Sequence, residues 1–102
     1  PVQINGDYRI AFSGYFDSQQ ADIYTVGSDG SNVETLTEER YENLNPTWSP
    51  NGRYIAFSSN RSGKHEIYIG SSSFGQLLPN GERFYRVTYL AGENLSPAWS
   101  PN

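Results

Sequence analysis

Cysteine and methionine are both absent from this 102-residue chain. Without cysteine there are no disulfides, thiolate metal sites, thiol nucleophiles or thiol redox chemistry. Histidine occurs once, which leaves little for a metal centre or a general base. Basic charge is scarce: seven Lys and Arg against eleven Asp and Glu give a net charge of −4. Nucleic acid selects the opposite balance, so no nucleic-acid partner is expected. No run of about 18 apolar residues is present, so no helix inserts in a membrane. The start has no basic–apolar pattern of a secretory signal. Helical periodicity is missing too, because glycine and proline interrupt every window.

Aromatic residues and turn formers are abundant instead. Eight Tyr, five Phe and two Trp make up 15% of the chain, beside ten Gly and six Pro. Such a composition points to an all-β protein of one small domain or less.

The chain repeats itself. Ile10-Ala11-Phe12-Ser13 returns as Ile55-Ala56-Phe57-Ser58, and Asp22-Ile23-Tyr24 as Glu66-Ile67-Tyr68. Asn43-Leu44-Asn45-Pro46-Thr47-Trp48-Ser49-Pro50-Asn51 returns as Asn94-Leu95-Ser96-Pro97-Ala98-Trp99-Ser100-Pro101-Asn102. Order is kept and the offset grows from 44–45 to 51, because residues 71–83 replace a short turn. Each unit reads as four short strands: 46–49, 53–58, 66–69 and 84–88, with 8–13, 22–26 and 33–37 as counterparts in the other unit. Repetition of a four-stranded unit this long is the pattern of β-propeller blades.

Pro46-Thr47-Trp48-Ser49-Pro50-Asn51-Gly52, followed by Ile55-Ala56-Phe57-Ser58 and Glu66-Ile67-Tyr68, resembles the blade of the TolB-type propeller family. The likeness covers nearly the whole chain, but Pro1-Val2-Gln3-Ile4-Asn5 lacks the Trp-Ser-Pro of a first strand. Residues 1–45 are then one blade, its first strand degenerate or supplied by a neighbouring chain; 46–96 are a second, and 97–102 start a third. Two blades cannot close a ring and would expose sheet edges. A homotrimer with swapped terminal strands would give six blades, the number the family uses; a fragment of a longer propeller is the alternative.

No catalytic residue is expected. His65, the one histidine, reads as an exposed turn residue beside a polar hairpin, with no serine marked as its partner. A pectin-degrading lyase family with related propellers uses several histidine ligands, which one histidine does not supply. Asp17, Asp22, Asp29, Glu38 and Glu39 are oxygen donors without a calcium-loop pattern, so no metal or other cofactor is expected. Trp48 and Trp99 read as blade-to-blade packing.

Function in such scaffolds sits on loops. Strand order gathers Tyr15, Phe16, Asp17, Glu38, Glu39, Tyr41, Glu42, Arg61, Lys64, Tyr89 and Glu93 at one end as an aromatic, acidic rim. Asn43, Asn45, Asn94 and Ser96 lead into the innermost strands, facing the channel entrance. The binding residues expected are Tyr15, Phe16, Asp17, Tyr41, Asn43, Asn45, Asn94 and Ser96, although the aromatics could equally cap the core. The family resemblance implies a non-enzymatic scaffold that binds protein or peptide, in a periplasmic or secreted setting with envelope proteins as partners. A structural or self-assembling propeller with no ligand of its own, a carbohydrate binder and a peptidase's accessory propeller are the alternatives.

Overall fold

A computed structural model describes residues 8–15, 20–37, 41–73 and 75–101. Among them are seven strands in two antiparallel sheets. The first sheet contains β1 (Arg9–Gly14), β2 (Asp22–Gly27) and β3 (Glu34–Thr35), in that spatial order. The second contains β4 (Asn43–Trp48), β5 (Tyr54–Ser59), β6 (Glu66–Ser71) and β7 (Phe84–Arg86), also in sequence order. Short polar turns explain the meander. Asn51 Oδ1 accepts hydrogen bonds from Ser49 Oγ (2.7 Å) and the Arg53 amide (3.0 Å), which closes the turn between β4 and β5.

The repeated sequence produces repeated packing. Phe12 stacks on Tyr24 in the first sheet (5.6 Å between centroids), and their counterparts Phe57 and Tyr68 stack in the second (6.3 Å). Ile23, Leu36, Ile55, Phe57 and Tyr68 form a core shared by the two sheets, with Ala11, Trp48 and Phe84 packed against it. Gly70 on β6 is required by a close approach: a Cβ there would lie 2.8 Å from the Phe84 ring.

The innermost strand of the second sheet is kinked. Asn43 and Leu44 pair with Ser59 and Ser58, whereas Thr47 and Trp48 pair with Ala56 and Ile55, so one extra residue bulges out. Asn45 absorbs the kink at φ 54°, a left-handed conformation that asparagine tolerates, immediately before Pro46. Ser96, its counterpart before Pro97, has φ 56°.

One expected strand finds no ladder partner among the described residues. Residues 97–100 have the kink of an innermost strand but make no ladder, and form no strand here. A β-strand needs a neighbour for its backbone groups, and a ladder partner for this segment is missing among the described residues. β1 is correspondingly an edge, with no strand on its far side among those residues.

Candidate functional site

The described parts of the β1–β2 and β3–β4 connections, the β5–β6 connection and the segment after β7 meet at one end of the sheets, and two polar clusters bind them there. The first is built on a carboxylate that opens a strand. Asp22 Oδ1 accepts from Thr37 Oγ1 (2.8 Å) and, more loosely, from Asn43 Nδ2 (3.4 Å), while Thr37 Oγ1 also accepts from the Ile23 amide (3.1 Å). The arrangement recurs 44–51 residues later. Glu66 accepts from Thr88 Oγ1, from Asn94 Nδ2 (3.0 Å) and from Arg86 (3.0 Å), and Thr88 Oγ1 accepts from the Ile67 amide (2.9 Å). In both copies the asparagine backbone amide donates to the residue before the carboxylate: Asn43 to Ala21 O (2.9 Å), Asn94 to His65 O (3.0 Å). Each carboxylate thus fastens the next unit's innermost segment to its own sheet.

Glu66 is fully buried and remains ionised because its oxygens are occupied. The Thr88 hydroxyl holds its pKa below the usual glutamate range against the opposing effect of burial, helped by Lys64 (3.4 Å) and Arg86.

The second cluster surrounds Arg61 and His65. The Arg61 guanidinium lies over the rings of Phe84 (4.5 Å), Tyr68 (4.9 Å), Phe57 (5.5 Å) and Tyr41 (5.6 Å). It also donates to Ser59 Oγ (2.9 Å) and Asn43 Oδ1 (3.0 Å). His65 is not the exposed turn residue expected: its side chain is only 12% exposed, held between two carboxylates. Nε2 is 3.0 Å from Glu42 and Nδ1 3.0 Å from Glu93. Hydrogen bonds from the His65 side chain and amide keep the Glu93 pKa below its usual value. Lys64 Nζ donates to the carbonyls of Leu90 and Gly92, so the β5–β6 loop bridges the two neighbouring connections.

The expected binding residues separate into two groups. Tyr15 is exposed, and Tyr41 keeps 40% of its surface in solvent while covering Arg61. Asn45 and Ser96 are exposed at their kinks. Asn43 instead is fully buried, its amide donating to Tyr41 O (2.9 Å) and Ala21 O (3.3 Å). Asn94 is half-buried on Glu66. Phe16 and Asp17, with Glu38 and Glu39 of the expected rim, lie outside the described residues. Among the described residues no group of three metal-ligating side chains converges. Sequence reading missed the buried clasps, although their signal was present. Asp22/Glu66, Thr37/Thr88 and Asn43/Asn94 recur in order around the repeated Ile-Tyr.

Meandering antiparallel sheets joined through a shared core, each fastened to the start of the next unit, define a β-propeller-like protein. Comparison with known proteins narrows the class. No family model matches the chain. It is 32% identical over 93 residues to the Tol-Pal system protein TolB of Desulfosudis oleivorans, covering 91% of this chain and 19% of that protein. It is 36% identical over 80 residues to a TolB homologue of Chlorobaculum tepidum, covering 78% of this chain and 17% of the relative. A solved TolB structure from Agrobacterium tumefaciens superposes with a TM-score of 0.76 at 30% identity, over 91% of this chain and 31% of that one. This chain is therefore similar to part of the TolB propeller, and spans about a fifth of the length of those curated relatives.

Proposed function

We propose that this chain is a blade pair, divided at residues 1–45, 46–96 and 97–102, of a non-enzymatic propeller that binds a protein or peptide at its channel mouth. The observation that carries the reading is the set of exposed tyrosines at the end where the connections gather: Tyr15 is 58% exposed, Tyr41 40% and Tyr89 72%. Tyrosine presents a large, rigid, amphipathic surface at low entropic cost, the chemistry favoured where proteins grip other chains. Tyr15, Phe16, Asp17, Tyr41, Asn45 and Ser96 make the contacts in this reading, while Asn43 and Asn94 hold the connections that present them. Both ring nitrogens of His65 face carboxylates, an arrangement that secures loops and leaves no nucleophile to activate. The relatives' naming as Tol-Pal system proteins supports a protein partner and a periplasmic setting. Further copies of the chain complete the ring.

Selection of a displayed library of extended peptides on the immobilised chain, beside an array of oligosaccharides, tests this reading. Peptides should be enriched, and Tyr15→Ala with Phe16→Ala should weaken their binding at least about tenfold, the scale of one interface hot spot, with an unchanged circular dichroism spectrum. Enrichment of sugars alone, or peptide binding indifferent to both substitutions, rejects the channel mouth as a peptide site.

A further inference from the structure

We propose that the edge of β1, which has no neighbouring strand among the described residues, and the half-buried indole of Trp48 form a receptor for residues 97–101 of a second copy of this chain, joining three copies head to tail. The inference rests on the propeller reading but not on any ligand at the channel mouth.

Trp48 Nε1 is buried and has no acceptor among the described residues. Its counterpart Trp99 does have one, donating to the carbonyl of Thr47 on the preceding innermost strand at 2.9 Å. By the repeat, the acceptor missing at Trp48 is a backbone carbonyl on an innermost strand beside β1. That is the position empty among the described residues. Ile10 on β1 records the same vacancy: it is 52% exposed, whereas its counterpart Ile55, flanked by β4, is fully buried.

The complementary part lies at the other end of the chain. Residues 97–101 follow a kink matching that of β4, and are held by Asn94 and by the Trp99 indole without any ladder of their own. One surface lacks an innermost strand and the other is an innermost strand lacking a neighbour. Carrying over the β4–β5 register, in which Thr47 faces Ala56 and Trp48 faces Ile55, sets Ala98 of one copy opposite Ala11 of the next and Trp99 opposite Ile10. Trp48 Nε1 then donates to the Ala98 carbonyl of the incoming copy. Three copies are proposed because three stretches that each match 31% of the solved structure together make up about one such chain.

Light scattering after size exclusion, over a range of concentrations, reads the assembly directly. Roughly 34 kDa, three times the 11.4 kDa of one chain, is expected. A monomer, with the edge filled by residues 1–5 of the same chain or by nothing, overturns the proposal. So does a dimer or a mass that climbs with concentration. Because the chain has no cysteine, a second test is free of background. Chains carrying Ala11→Cys are mixed with chains carrying Ala98→Cys and oxidised. A disulfide-linked heterodimer should form in the mixture and in neither variant alone, with the circular dichroism of each unchanged. Failure to form it at unchanged circular dichroism overturns the strand exchange. Tyr15→Ala should leave the mass at three copies, so loss of peptide binding and loss of the ring are read separately.

Discussion

Glu66 is an ionised carboxylate with no exposed surface, stabilised by Thr88, Asn94, Arg86 and Lys64. Since its pKa is lowered on folding, the unfolded chain binds its proton more tightly than the folded one. The stability it contributes is therefore present above the usual glutamate pKa of about 4.3 and is lost as the pH falls through the lower folded value. Urea unfolding at pH 7 and pH 3.5 should show the wild type weakening in acid. Glu66→Gln should be less stable at pH 7 and lose less on acidification; an equally steep acid loss would exclude Glu66 as a source of the pH dependence. Gly70 illustrates the steric counterpart. A methyl group there would press on the Phe84 ring, itself packed edge-on against Phe57 at 5.6 Å. Gly70→Ala should cost about 1–3 kcal/mol by chemical denaturation, the usual penalty of overpacking.

At the level of elements, the kink in β4 is a local backbone choice with a measurable sign. Asparagine holds the left-handed conformation at position 45, and glycine would hold it without a Cβ. Asn45→Gly should leave stability unchanged or slightly higher, whereas Asn45→Val should cost about 1–3 kcal/mol, both read from denaturation midpoints. The same kink explains what was legible in advance. Alternation of large and small residues in Ile10-Ala11-Phe12 and Ile55-Ala56-Phe57 marks β1 and β5, because successive side chains of a strand point to opposite faces, and both faces of β5 are packed. Pro46 was read as opening its strand, yet β4 begins at Asn43, since the bulge lets the strand run through the Asn45-Pro46 step. The recurrence of the clasp residues is legible but their pairing is not, because contact across 15 to 28 residues, as between Thr37 and Asp22 or Asn94 and Glu66, depends on register. Asn43 thus read as a residue of the channel entrance, when its place beside Asp22 buries it.

Across the whole molecule, order is graded by how many neighbours each strand has. β5 lies between β4 and β6 and carries the fully buried Ile55 and Phe57, whereas β1 is an edge. Hydrogen exchange in the single chain should protect the amides of β5 and β6 most and those of β1 less, whereas in the three-copy assembly the β1 amides should be protected as well. The clasps also set how such an array can grow. Each one joins a carboxylate and a threonine of one sheet to the asparagine that opens the following innermost segment, so the stabilising module spans the junction between sheets. A tandem duplication one period long, wherever its breakpoints fall, copies one acceptor set and one asparagine together. Every junction within the lengthened array then arrives complete. Blade number can therefore change by whole periods without stranding a buried charge in the interior.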